Sequence, residues 1–456
     1  MEKTKKHRLQ LLAASVFWLG VWQAAAMAIG QEVFLVSPVQ ALGTLVQLLP
    51  QAEFWQRVAF SAGRILLGFG LGALSSAVLA VAAEKWEWVD ALLAPVMQLV
   101  KATPVASFII LALVWVSGSS LSVLISFLMV LPVLYGAVRT GIGSADRRLL
   151  EMAQVFRLPL GRRLRAVWLP AVLPAFRQGC SVALGICWKS GVAAEVIGLP
   201  DGSIGDALYR AKITLSTGEL FAWTFVIILL SAVFEKLFLA LLDRGGGGSS
   251  GRRGGIKMGE YHNKLEIKNL TKRFGEKTLF EGLSLTVDGP AVLWAPSGWG
   301  KTTLLRILMG LEVPTSGSVE GVGRVGVVFQ EDRLCPQLTP EENVALVLPA
   351  EQYKAKTQYK EQIRKDLIQL GLDDEALALP ARKLSGGQKR RTALLRALWA
   401  ESDTLLLDEP FTGMDPAAMK KAAAMLKARC GAKPALLATH DQAAIRELGW
   451  RVIELG

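Results

Sequence analysis

Residues 9–242 carry a series of apolar runs, each long enough to cross a membrane, and no other feature limits the fold of this chain so strictly. A hydrocarbon layer about 30 Å thick takes about 20 helical residues to cross. No water is available inside it, so a crossing segment must satisfy its own backbone N–H and C=O groups, as a helix does. The runs at 9–29, 58–83, 92–116, 121–138, 173–196 and 220–242 predict about six spanning helices, the fifth interrupted by Arg177 and Lys189.

Lys and Arg set the orientation, because they accumulate on the cytoplasmic side. Lys3, Lys5, Lys6 and Arg8 precede the first run; Arg139, Arg147, Arg148, Arg157, Arg162, Arg163 and Arg165 follow the fourth. The stretches 31–56 and 117–120 hold neither residue type, as expected of outer turns, with Arg210 and Lys212 mildly against the trend. Both ends of the membrane half are therefore expected in the cytoplasm. The first run is too long for a cleaved signal peptide. The net charge of +12 has the same origin and needs no nucleic acid to explain it. Arg64, Arg177 and Lys189 lie within apolar runs, where a central charge costs about 2.5–3.5 kcal/mol. They are expected near the span ends, snorkelling to water, with Lys189 and Glu195 at the outer edge. The alternative is that they face the bundle interior and line a path.

A different chemistry begins further on. Ala295-Pro296-Ser297-Gly298-Trp299-Gly300-Lys301-Thr302 has the spacing of a phosphate-binding loop. It stands between an apolar run at 291–294 that reads as a strand and a run at 303–309 that reads as a helix. Backbone N–H groups there, with the positive end of the helix, surround phosphates. Lys301 would reach the β- and γ-phosphates, and Thr302 would hold Mg²⁺ through its hydroxyl. Ser297, Gly298, Gly300 and Thr303 belong to the same cradle. Downstream, Leu405-Leu406-Leu407-Asp408-Glu409-Pro410 reads as a buried strand ending in two acids. That delivers Asp408 to the metal and leaves Glu409 beside the γ-phosphate. Between them, Leu384-Ser385-Gly386-Gly387-Gln388 precedes a helix-compatible run at 389–399 and offers a second set of bare donors at a helix start. One domain does not need two such sites for one nucleotide. Two copies facing head to tail do.

From about Leu265 to Gly456 the sequence resembles an ATP-binding-cassette (ABC) ATPase, and the Leu384–Gln388 signature is the most specific part of the match. The resemblance implies an α/β P-loop fold with a helical subdomain at about 334–400, and ATP and Mg²⁺ as cofactors. It implies a Q-loop glutamine at Gln330, joining Thr302 and Asp408 at the metal, a D-loop aspartate at Asp415 and a switch histidine at His440. Phe274 sits where the family stacks an aromatic on adenine. Glu409 would polarise the attacking water and His440 would contact the γ-phosphate. Ser385 and Gly387, with Gly386 and Gln388 beside them, would complete the site of the opposite subunit. Ala295 replaces the commoner Gly, and Met414 the usual Leu.

The segment 151–170 is amphipathic, basic and closed by proline, which suits a short helix outside the membrane. Its arginines would equally suit lipid headgroups. It resembles the "EAA" coupling loop of binding-protein-dependent importers, in which a short helix docks near the Q-loop. Glu151, Ala153, Leu169 and Pro170 match, Gly161 lies within the segment, and Arg157 stands where the pattern usually has Gly. With 64–69 and the stretch from Trp188 to Gly198, residues 9–242 resemble the permease of the nitrate/sulfonate/taurine group of ABC importers. The expected chain is thus multidomain. It has an all-α polytopic permease at 1–243 with its coupling loop at 145–170, a Gly/Ser-rich linker at 244–257 that spans roughly 20 Å, and a cassette at 258–456. Cys180, Cys187, Cys335 and Cys430 show no metal spacing. The expected machine is a homodimer in a bacterial inner membrane, in contact with lipid. It would import a small solute delivered by an extracytoplasmic binding protein, with its cassette in the cytoplasm. A half-size exporter and a membrane-anchored mechanotransmitting ATPase are the rivals. The inner loops are too short for the first, and the outer loops too small for the second.

Overall fold

The computed structural model describes residues 2–245, 264–296 and 298–455. Ser297 and all but the first two residues of the expected linker at 244–257 lie outside the described residues. The chain forms two compact units. One runs to Ser144 and resumes at Ala171; the other joins Ala145–Pro170 to the carboxy-terminal part of the chain.

In the first unit, α1 (Glu2–Ile29), α2 (Pro38–Leu48), α3 (Ala52–Lys85), α4 (Glu87–Ala102), α5 (Val105–Ala112) and α6 (Gly118–Gly143) come first. After α7 (Arg147–Val155) and α8 (Leu160–Arg163), which belong to the second unit, follow α9 (Leu169–Gly198), α10 (Ile204–Ile213) and α11 (Thr217–Gly245). Among the described residues, four helical stretches are long and apolar enough to cross a membrane: Ala52–Lys85, Gly118–Gly143, Leu160–Gly198 and Thr217–Leu242. Helix α1 adds a shorter apolar stretch, Ala13–Ile29. The third predicted span is not one helix, because α4 and α5 meet at a bend of 104°. Pro104 supplies the reason. It withholds an N–H and pushes Thr103 into extended backbone, φ −79° and ψ 128°.

Helices α3, α6 and α9 pack through small residues, as helices in lipid do. A Cβ at Gly68 would lie 2.5 Å from the Val123 carbonyl oxygen, and one at Gly191 would lie 2.7 Å from Ile65. Glu195, near the end of α9, does not snorkel to water as expected. Its side chain is fully buried and accepts a 2.6 Å hydrogen bond from Ser61 Oγ. Lys189 and Arg177 are exposed on the surface of the unit.

Among its described residues the second unit contains two sheets. Strands β1 (Leu265–Phe274), β2 (Lys277–Val287), β3 (Pro290–Trp294), β4 (Ser316–Glu320), β5 (Val325–Val328), β6 (Thr404–Asp408), β7 (Ala435–Ala438) and β8 (Arg451–Glu454) divide as β2-β1-β4, antiparallel, and β5-β6-β7-β3-β8, parallel. Strands β6 and β7 are buried throughout, which is why they read as unbroken apolar runs without alternation. The helices are α12 (Lys301–Leu308), α13 (Pro340–Ala345), α14 (Ala350–Lys354), α15 (Lys356–Gln369), α16 (Asp374–Ala378), α17 (Gly386–Trp399), α18 (Pro416–Cys430) and α19 (Gln442–Leu448). In the parallel register Leu293 and Asp408 both lie opposite Ala438. That brings the carboxyl ends of β3, β6 and β7 together, the place where open α/β sheets hold ligands.

Two arginines of α17 hold the loop after β5. Arg390 donates to the carbonyls of Phe329 at 2.6 Å and Gln330 at 2.5 Å. Arg396, wholly buried, donates to Arg333 O at 2.7 Å and Asp332 O at 3.0 Å. Burial pushes its guanidinium down to about 10, against the opposing pull of Cys335 and Asp332. Arg396→Leu strands both carbonyls, at roughly 1–3 kcal/mol for each buried unsatisfied group. We expect its melting temperature to fall by about 5 °C or more, read by thermal scanning of the full chain. Cys335 and Cys430 are buried, and burial pushes both thiols up to about 11. Maleimide at neutral pH should label neither until denaturant is added.

Candidate active site and coupling segment

The phosphate loop follows β3 and is shaped by two glycines of positive φ, Gly298 (84°) and Gly300 (109°). Gly300 has a second reason to lack a side chain, since a Cβ there would lie 2.6 Å from Leu279 Cδ2. Trp299 between them stacks on Phe280 of β2, with ring centroids 5.5 Å apart and planes 13° from parallel, tying the loop to the antiparallel sheet. Lys301 opens α12 and folds back over the loop, donating to Ala295 O at 2.6 Å and Pro296 O at 3.2 Å. Its ammonium is thus held over the loop.

Asp408 ends β6 and is buried. Burial raises its carboxyl above the usual range, and the neighbouring Glu409 adds to this, while a hydrogen bond with Thr302 and the charges of Arg390 and Lys301 oppose it. Thr302 and Asp408 are adjacent hard oxygen donors beside the loop, the donor type that suits Mg²⁺. Glu409 takes a φ of 49°, and its N–H donates to Ala438 O at 2.9 Å across the β6–β7 gap. Both carboxylate oxygens are engaged from the end of β7. Oε1 lies 2.7 Å from His440 Nδ1, and Oε2 accepts from Thr439 Oγ1 at 3.0 Å. Lys301, Thr302, Asp408, Glu409 and His440 therefore converge on one cleft. Thr439 belongs with them and went unnoticed in the sequence, where a threonine beside a histidine carries no signal of its own.

Of the other expected site residues, Gln330 and Thr303 lie beside this cluster, just past the β5 strand paired with β6 and next to Thr302, whereas the others sit on other elements. Ser385 caps α17, its hydroxyl accepting from Gln388 N–H at 3.3 Å while Gln388 Oε1 accepts from Ser385 N–H at 2.9 Å. Gly386 and Gly387 form the first turn, and a Cβ at Gly387 would lie 2.9 Å from Gly413 O. Asp415 caps α18 by accepting from Ala418 N–H at 2.9 Å. Gln330 is exposed, and its carbonyl accepts from Arg390 of α17. Phe274, 51% exposed, ends β1 with Lys272 Nζ 4.5 Å from its ring centre. Thr303 lies in α12, one residue past Thr302.

The segment 145–170 packs into the second unit, with Arg162 buried there and Arg147, Arg148, Arg157 and Arg165 exposed. Glu151 of α7 is the hub. Its carboxylate accepts from Arg306 on α12 at 3.2 and 3.4 Å and from Arg333 at 2.7 Å. Burial raises the Glu151 carboxyl, but the hydrogen bonds and charges of the two arginines outweigh it, so the net position is below the usual range. Ala153 is buried beside Met152 in the core. Arg157 takes a φ of 48°, the conformation that explains why the pattern favours Gly there. Arg162, next to Gly161 in α8, donates to Leu346 O at 2.8 Å and Leu348 O at 2.5 Å and lies 3.9 Å over the Tyr353 ring. Gln337 Nε2 donates to Ala166 O at 2.8 Å, and Pro170 follows in the first turn of α9.

Residues 282–412 match the family described as ABC transporter, and residues 68–244 match the binding-protein-dependent transport system inner membrane component. An aliphatic sulfonates import ATP-binding protein of Nocardia farcinica is 41% identical over 197 residues, covering 42% of this chain and 77% of its own. A Fe(3+) ions import ATP-binding protein of Brucella abortus is 41% identical over 194 residues, 39% of this chain and 54% of its own. This chain spans about half the length of the first curated relatives it matches. Among solved structures, a dimeric ATP-binding cassette bound to ADP and Pi is 27% identical, covering 42% of this chain and 94% of its own with a TM-score of 0.37.

Proposed function

The chain belongs to the ABC transporter family, and we propose that it is an importer of a small solute, powered by ATP hydrolysis at the cleft described above. The observation that carries this reading is the convergence of Lys301, Thr302, Asp408, Glu409 and His440 at the ends of β3, β6 and β7, in a polypeptide that also holds the membrane component. Lys301 exchanges its two carbonyl partners for the β- and γ-phosphates. Thr302 and Asp408, joined by Gln330, would hold Mg²⁺, which would neutralise phosphate charge when bound. Glu409 orients the attacking water, and His440 contacts the γ-phosphate. Phosphoryl transfer asks mainly for such positioning and charge neutralisation.

Ser385, Gly386, Gly387 and Gln388 open α17 and Asp415 caps α18, helix starts other than the one that follows the phosphate loop, which suits a role at the nucleotide of a second copy. The working form is then a homodimer. Solute arrives on an extracytoplasmic binding protein, and nitrate-, sulfonate- or taurine-like solutes, or a vitamin precursor, are the class the family resemblance favours. The segment 145–170 couples the cassette to the membrane helices through Glu151 and Arg162. The test is reconstitution of the full chain in proteoliposomes with a cognate binding protein. Solute uptake that needs hydrolysable ATP on the cassette side supports the reading. ATP-driven movement in the opposite direction refutes it.

A further inference from the structure

Glu409 is held from the end of β7 at three points, and they differ in how firmly they can hold. Its N–H donates to Ala438 O at 2.9 Å, which fixes the backbone in its left-handed conformation, φ 49°. Its carboxylate meets His440 Nδ1 at 2.7 Å through Oε1 and accepts from Thr439 Oγ1 at 3.0 Å through Oε2. Among the described residues no third side chain bonds to it. The His440 side chain is 80% exposed and has room to turn away. Thr439 is the opposite. It is 1% exposed and branched at Cβ, so its χ1 is stiff. Its Oγ1 also accepts from Asp441 N–H at 3.1 Å, and Asp441 caps α19 by accepting from Ala443 N–H at 2.8 Å and Ala444 N–H at 3.4 Å. With that N–H on one side of the oxygen, the hydroxyl hydrogen is directed at Glu409 Oε2.

A carboxylate with both oxygens engaged has none to offer a water. The mechanism above asks His440 to contact the γ-phosphate, and Glu409 Oε1 is then open. From that point the bond from Thr439 is the side-chain contact that still aims the carboxylate, and misplacing a reacting group by about 1 Å can cost about 10²-fold in rate. We infer that Thr439 is a positioning residue of ATP hydrolysis: it holds Glu409 Oε2, so that Oε1 faces the attacking water while His440 serves the phosphate. This rests on the hydrolytic reading of the cleft and adds a division of labour to it. The buried threonine keeps the acid in place, and the exposed histidine moves between acid and nucleotide.

The experiment uses the full chain in lipid nanodiscs with ATP and Mg²⁺, reading kcat and KM from phosphate release. Thr439→Val removes the hydroxyl at nearly the same shape. Its kcat should fall about tenfold or more, the loss of a hydrogen bond to a charged group, while KM for ATP stays within about twofold. Thr439→Ser returns the hydroxyl and should recover most of the turnover. Should Thr439→Val fail to fold, Thr439→Ala takes its place. A residue that merely supported the fold would slow the reaction whether or not Glu409 were intact, so single-turnover hydrolysis is also followed in Glu409→Gln. Adding Thr439→Val to Glu409→Gln should cost less than about twofold more, because the threonine acts through that carboxylate. Wild-type kcat in Thr439→Val, a Thr439→Ser chain as slow as Thr439→Val, or losses that multiply in the double variant would each overturn the inference. Wild-type turnover in Glu409→Gln strikes the hydrolytic reading itself, and this inference with it; a slow Glu409→Gln beside a fast Thr439→Val sinks this inference alone.

Discussion

Lys301→Ala should cut ATP turnover by about 10²–10³-fold and stop ATP-driven uptake with it. The lysine is the one cation that the loop itself presents to the phosphates, and it already sits over the loop on the carbonyls of Ala295 and Pro296. Alanine removes both the charge and the brace. Glu409→Gln separates chemistry from binding. Glutamine preserves contacts toward His440 and Thr439 but cannot polarise water as a carboxylate does. Nucleotide should still bind, while turnover falls by about 10²–10⁴-fold. Phosphate release and equilibrium nucleotide binding on the same preparations check both statements. Wild-type turnover in either variant would remove this cleft from the reaction.

Glu151→Ala should uncouple the machine rather than stop it. Its carboxylate joins Arg306, on the helix that starts with Lys301, to Arg333, on the loop that follows Gln330. One side chain thus touches both elements expected to sense nucleotide. Without it, uptake should fall roughly tenfold while basal ATP hydrolysis changes much less. A parallel fall in both would make Glu151 a structural support only. The pH dependence has a definite sign. The folded-state carboxyl lies below its ordinary range, so its contribution is fully present above the usual carboxylate range and is lost as pH falls through the lowered value. Coupling should therefore be insensitive to pH from neutrality down to that range.

Much of the cassette was legible because its chemistry is local. The glycines, Lys301 and Thr302 act within one turn, and a buried strand that ends in two acids announces itself. What was not legible depends on distant partners. Trp299 stacks on Phe280 from another strand, and Arg396 reaches carbonyls across the helical subdomain. Arg162 carries no mark in the sequence that sets it apart from the other arginines of its segment, because its acceptors, Leu346 O and Leu348 O, lie far along the chain. In the membrane half, hydropathy found the apolar stretches but not their geometry. The run at 92–116 stays apolar through the 104° bend that Pro104 imposes. Snorkelling was a fair expectation for lone charges, and only packing against α3 and α10 revealed Glu195 as buried.

The proposal that each nucleotide lies between the phosphate loop of one copy and the Ser385 turn of another can be tested by complementation. Lys301→Ala and Ser385→Arg chains carry different tags and are co-expressed, and the mixed dimer is isolated through both. Each homodimer should be inactive, whereas the mixed dimer keeps one intact composite site and should regain a substantial part of wild-type ATP hydrolysis. A mixed dimer as inactive as its parents, or an active Ser385→Arg homodimer, would contradict the account.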